Sequence, residues 1–317
     1  MSSRKSSKNI TAFCLSLVFF LWITSTSKVS ATESGVSFYV PGLYGDIGVA
    51  IPPPAGVYLL STSIYYPAKT PNPIFPNAID KKLEADIFAQ LLRGFWVPET
   101  KIFGAKALFG FRLQILDIEL DAELETPFGD IKVNEKNKDY GDLGIIPLSL
   151  YWQSGNFYAN LYEVISAPTA KYDPESATNT ALGHWVFDTV LSMTWLDPTT
   201  GIEISAVPGI IYNAENRETN YKSGTEFHMD VILNWHVSAS LAIGMHGSVY
   251  HQLTDDKGAD PSLGGFKGRS YSVGPSITWH KNIGEQKYLL SAKWLHEFDA
   301  LNKLEGDLML FSAGMKF

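Results

Sequence analysis

The chain has 317 residues, 45% hydrophobic and 13% aromatic, with 25 basic and 33 acidic side chains and a formal charge of −8. The acidic balance argues against nucleic-acid binding, which leaves a basic footprint, and a single cysteine, Cys14, gives no disulfide framework. A mean hydropathy near zero fits either a large soluble core or a membrane barrel, whose alternating apolar and polar residues average out.

At the start, Arg4, Lys5 and Lys8 precede an apolar run over 10–23 and then Val29-Ser30-Ala31. These are the charged, apolar and small-residue regions of a secretory signal peptide over 1–31. The run is shorter than the roughly 20 residues of a spanning helix, and Cys14 lies inside it, where it is a poor lipoprotein acceptor. Cleavage removes Arg4, Lys5, Lys8, Lys28 and the cysteine but no acid, leaving 21 basic against 33 acidic residues, or −12. An exported chain without cysteine has no thiolate nucleophile and no cysteine metal site. No cofactor is expected.

Residues 32–55 are rich in glycine and proline, and Pro52-Pro53-Pro54 cannot donate to a sheet ladder. The stretch reads as an irregular N-terminal segment that either plugs a barrel mouth or trails into the periplasm. Residues 56–66 form the first strand, with Tyr58, Leu60, Ile64 and Tyr66 on one face, and the proline-rich 67–76 forms a loop. Over 82–101 Leu83, Ile87, Leu91 and Phe95 suit a helical period, while Ile87, Ala89 and Leu91 suit a strand; Phe95-Trp96-Val97-Pro98 favours the strand. Residues 109–115 alternate cleanly. From Leu116 the apolar set moves to even positions, opposite Asp117, Glu119, Asp121 and Glu123, which predicts a tight turn or a β-bulge near residue 115. Alternate strand residues lie about 7 Å apart, so these carboxylates are too spread to enclose one ion and read as a solvated or lumen-facing wall.

Further on, 145–153 and 157–165 flank Ser154-Gly155-Asn156, a short hairpin turn. Residues 184–195 carry Trp185, Phe187, Leu191, Met193 and Trp195 on one face. Phe227, Met229, Val231, Leu233 and Trp235 oppose Glu226, His228, Asp230, Asn234 and His236. Strands over 241–249, 271–280 and 288–298 follow, and Met309, Phe311, Ala313, Met315 and Phe317 make one apolar face of the last strand. Short turns near 155, 199, 237 and 283 alternate with longer polar loops near 176, 218, 260 and 302. That alternation predicts an all-β, transmembrane, antiparallel up-and-down barrel of about twelve strands spanning 56–317. Trp152, Trp185, Trp195, Trp235, Trp279 and Trp294 suit aromatic girdles near the strand ends.

Several words of the sequence carry a resemblance in their order and spacing: Gly141-Asp142-Leu143-Gly144-Ile145-Ile146-Pro147, Ala167-Pro168-Thr169-Ala170-Lys171-Tyr172-Asp173, 179–187, 216–224 and Gln252-Leu253-Thr254-Asp255-Asp256. Over about 38–317 the chain resembles the family of outer-membrane proteins named for the meta-pathway of phenol degradation. Ala170 stands where that family more often has glycine. The resemblance implies an outer-membrane channel for small hydrophobic or aromatic solutes, with no residue-level site to carry over. A terminal aromatic strand also resembles the ending read by the barrel-assembly machinery, here Phe311, Met315 and Phe317. Outer-membrane lipid and lipopolysaccharide are the surrounding partners.

Three functions follow. Passive transport places Glu226, His228, Asp230, Asn234, His236, His246, Ser248, Tyr250, Ser272 and His280 in the lumen, with Tyr250, Ile232 and Leu308 as an apolar pocket and an acidic excess that disfavours anions. A hydrolase would draw on His228, Asp230, His246 and Ser248, but no nucleophile motif accompanies them. Two histidines eight apart, His228 and His236, cannot share a metal ion. A closed structural or adhesive barrel would work through the loops near 173–179, 215–222 and 255–268.

Overall fold

The computed structural model describes residues 37–71, 81–124, 131–258, 267–284 and 286–317; the signal-peptide reading over 1–31 lies outside them. Thirteen strands are present among the described residues: β1 (Gly56–Lys69), β2 (Lys81–Val97), β3 (Lys106–Leu124), β4 (Ile131–Tyr140), β5 (Leu143–Ser154), β6 (Phe157–Ala167), β7 (Val186–Asp197), β8 (Ile202–Asn213), β9 (Glu226–Ser238), β10 (Leu241–Gln252), β11 (Arg269–Ile283), β12 (Gln286–Leu301) and β13 (Glu305–Lys316). Sequence neighbours pair antiparallel except β4 and β5, which both pair with β3, and β1 pairs with β13, from Tyr58 opposite Lys316 to Lys69 opposite Glu305. The ring therefore closes, which removes the free sheet edges that lipid would not tolerate.

Twelve strands make the ring, because β4 and β5 share one place in it. The lower half of β3 pairs with β5 (Arg112 opposite Gly144) and the upper half pairs with β4 (Ile115 opposite Tyr140). The break between them is Gly141-Asp142. Asp142 accepts hydrogen bonds from the backbone N–H groups of Thr169 (3.0 Å), Ala170 (3.1 Å) and Leu182 (2.8 Å), so one carboxylate ties the β6–β7 loop to the junction.

The barrel is apolar outside and polar inside. Phe88, Leu113, Leu161, Leu233, Ile277 and Phe311 are exposed on the outer face, while Ser192, Glu203, His228, Asp230 and Ser272 are buried on the inner one. Exposed Trp96, Trp152, Trp195 and Trp235 ring the end of the short turns, where an amphipathic ring suits a membrane interface.

The structure corrects three expectations. No turn or bulge interrupts β3 near residue 115, since its pairing with β2 runs unbroken from Lys81 opposite Leu124 to Trp96 opposite Phe109. Phe111, Leu113 and Ile115 share the outer face with Asp117, Glu119 and Glu123, which ion-pair with Lys138, Lys136 and Lys132 of β4. The switch from apolar to charged on one continuous face is the strand leaving the membrane. Water screens these exposed pairs, so they add little to stability, and their value is solubility of the extension. The first strand continues through Pro67 to Lys69 rather than ending at Tyr66, and the loop near 302 is a three-residue turn (302–304) between β12 and β13. The ambiguous 82–101 stretch is β2, whose Leu83, Ile87, Leu91 and Phe95 face inward; a spacing of four satisfies both periods.

Candidate functional site in the barrel lumen

The lumen is built from two unlike walls and a segment between them. On the β7–β10 wall, acids alternate with histidines and amides: Asp188 on β7, Glu203 on β8, Glu226, His228, Asp230, Asn234 and His236 on β9, His246 on β10. His228 Nε2 lies 2.9 Å from Asp188 Oδ1, and His236 Nε2 lies 2.7 Å from Glu203 Oε2. Gly209 makes the first contact possible, because a Cβ there would sit 2.2 Å from His228 Nε2.

Residues 37–55 run down this wall from the loop end to the turn end and then enter β1. Ser37 Oγ donates to Glu226, Tyr39 Oη to Asp230 (2.7 Å) and Tyr44 Oη to Asp188. The backbone N–H of Gly48 donates to Glu203 (2.8 Å) and that of Ala50 to Thr194 Oγ1 (3.1 Å). Tyr39 stacks on His228 with ring centroids 4.4 Å apart. From β12, Lys293 Nζ lies 2.9 Å from Asp46 and donates to the carbonyls of Gly42 and Gly45. An irregular segment has no ladder for its polar groups, and the charged wall supplies those partners.

Between the segment and the inner faces of β1–β3, β5 and β6 lies a cavity of about 650 Å³. Its surface is mainly Phe38, Tyr44, Tyr58, Leu60, Phe95, Leu108, Ile146, Tyr151 and Tyr162, with Arg93, Arg112, His236, His280 and Lys287 among its polar members. It adjoins an irregular stretch of the wall, where β5–β6 pairing lapses between Ile145 and Ser149, around Pro147.

Of the residues singled out in the sequence, His236 and His280 line the cavity, and Glu226, His228, Asp230 and Asn234 hold the segment. His246 Nε2 lies 3.2 Å from Asp230, while the Ser248 hydroxyl bonds Ser272 (2.6 Å). Tyr250, Ile232 and Leu308 are fully buried but are not on the cavity surface. The apolar surface of the cavity comes instead from the inner faces of β1–β3, β5 and β6 and from the N-terminal segment. Phe311 and Phe317 face outward, and the Phe317 N–H donates to Val57 O at the closing seam. Sequence reasoning missed Arg93, Arg112, Asp188, Glu203 and Lys293; a charged residue on the polar side of a spanning strand was the available signal.

Residues 68–312 match the model of a family described as "Putative MetA-pathway of phenol degradation". The chain belongs to this family. No curated protein sequence matches it. Among solved structures, the chain is similar to the COG4313 outer membrane channel of Pseudomonas putida F1, at 12% identity and a TM-score of 0.61, covering 88% of this chain and 100% of that one. It is also similar to the transport unit of the autotransporter AIDA-I from Escherichia coli, at 9% identity and a TM-score of 0.50, covering 90% and 95%. Both likenesses are of fold, and the fold is that of an outer-membrane β-barrel.

Proposed function

We propose that this barrel is a passive uptake channel for small hydrophobic or aromatic compounds, with residues 32–55 as a lumen plug. The observation that carries this reading is the apolar cavity beside a docked segment. A pore for hydrophilic solutes would be lined throughout by polar groups, whereas aromatic and aliphatic side chains here make a surface that a hydrophobic molecule can wet. The similar Pseudomonas putida protein is named as an outer membrane channel, which fits. A hydrolase is disfavoured because the Ser248 hydroxyl is held by Ser272, and among the described residues no histidine or carboxylate hydrogen-bonds it as an activated nucleophile requires. On this reading a cleaved signal peptide over 1–31 exports the chain, the assembly machinery reads Phe311, Met315 and Phe317, and the outer face meets lipid and lipopolysaccharide.

Single-channel conductance in a planar bilayer tests the plug, comparing the full mature barrel with one lacking 32–55. Larger discrete steps after deletion support the reading. Equal conductance in the two forms overturns it.

A further inference from the structure

Two arginines face the cavity from directly opposed positions: Arg93 on β2 and Arg112 on β3 are register partners. Like charges placed opposite one another across strands destabilise a sheet, so the pair calls for a counter-anion. Among the described residues neither guanidinium forms an ion pair with a carboxylate. Arg93 gives its terminal nitrogens to Leu43 O (3.0 Å) and Thr62 Oγ1 (2.7 Å), both neutral. Arg112 has no hydrogen-bond acceptor there at all; it lies over the Phe38 ring at 4.4 Å, and its shielded Nε is unpartnered. Gly144 makes its berth, since a Cβ at that position would fall 3.1 Å from Arg112 Cβ and 3.2 Å from Nε.

The acids that line the cavity or act on the pair are engaged elsewhere. Asp142 is held by three backbone N–H groups, Asp188 by Tyr44 and His228, Asp46 by Lys293, and Glu203 by His236, Asn234 and the Gly48 N–H. The overall acidic balance therefore does not describe this cavity, whose uncommitted charge is positive. A planar guanidinium with free donors is suited to a carboxylate, and desolvation in an apolar cavity strengthens that contact.

We propose that Arg93 and Arg112 bind the carboxylate of an amphipathic monoanion whose aromatic or aliphatic body fills the cavity. The inference rests on the reading of the lumen as a solute path and narrows its solute class to hydrophobic acids. A cavity of about 650 Å³ lies within the roughly 300–1,000 Å³ of small-ligand sites.

The test is equilibrium binding of 4-phenylbutyrate and of its neutral analogue 4-phenylbutanol to the barrel in zwitterionic nanodiscs, with partition into empty discs subtracted. The acid binds more tightly than the alcohol by about tenfold, the equivalent of one charge-assisted hydrogen bond. Arg112→Met removes that preference, so that acid and alcohol bind alike, Arg112→Lys restores part of it, and Gly144→Val, which evicts Arg112 from its berth, reproduces Arg112→Met. Heat-modifiable gel mobility shows that each variant is folded. Equal binding of acid and alcohol, a preference that survives Arg112→Met, or binding of neither probe overturns the anion site. Alcohol binding without acid preference does so while leaving the hydrophobic channel standing, and the channel fails separately if cells expressing the barrel take up a neutral aromatic no faster than cells without it.

Discussion

Replacing Lys293 by methionine probes how the segment is held. The ammonium is buried, 2.9 Å from Asp46, and also serves the Gly42 and Gly45 carbonyls. Methionine keeps much of the length and removes all three contacts, leaving Asp46 as an uncompensated charge in the lumen. Breaking one side of a buried pair costs about 3–5 kcal/mol, so the undocked population rises by a hundredfold or more. The strand pairing of β12 with β13 does not depend on the ammonium, so the barrel stays folded. Hydrogen exchange at the Gly48 and Ala50 amides, which donate to Glu203 and Thr194, reports the release directly. Adding Asp46→Asn to Lys293→Met recovers part of the protection, because the unpaired charge is gone. Unchanged protection at both amides in Lys293→Met would refute the latch.

Three further outcomes follow from the geometry. Gly209→Ala places a Cβ 2.2 Å from His228 Nε2 and 3.0 Å from Asp188 Oδ1, and urea unfolding shows a loss of about 1–3 kcal/mol; Gly247→Ala, with only Ser272 O at 3.5 Å, is near neutral. Burial pushes the Asp256 carboxyl up to about 6 in the β10–β11 loop, where it accepts from Tyr221 Oη, the Gly224 N–H and Gln252 Nε2. The folded state therefore holds this proton more tightly than the unfolded chain, and its contribution to stability is present at low pH and lost as pH rises from the ordinary carboxylate range through about 6; thermal unfolding of Asp256→Asn lacks that part of the slope. Phe317→Ala lowers the yield of inserted barrel in cells, while the unfolding midpoint of barrel refolded in detergent changes by no more than about 0.5 kcal/mol, as for a surface position.

Strands with a clean two-faced pattern were legible from sequence, β9 and β13 above all, because lipid outside and polar groups inside impose a period of two on every spanning segment. The membrane boundary was not. On β3 the outer face changes chemistry between Ile115 and Asp117 without any change in backbone, and a pattern reader sees that as a slipped register. The site was less visible still. Tyr39 and Asp230 are 191 residues apart, and Arg93 meets Arg112 only once the register of β2 and β3 is known. The sequence words that carried the family resemblance lie largely at two loop clasps: Asp142 gathers 167–182, and Asp256 gathers 221–225 with Gln252. Such words identify how the loops are tied, and the solute cavity lies elsewhere.

What crosses the barrel is measured most directly as initial uptake of a radiolabelled neutral aromatic compound by Gram-negative cells with and without the barrel expressed, beside a labelled sugar of similar size. A hydrophobic channel gives faster entry of the aromatic compound and no change for the sugar. Faster sugar entry with unchanged aromatic entry would contradict it, because that selectivity belongs to an aqueous pore.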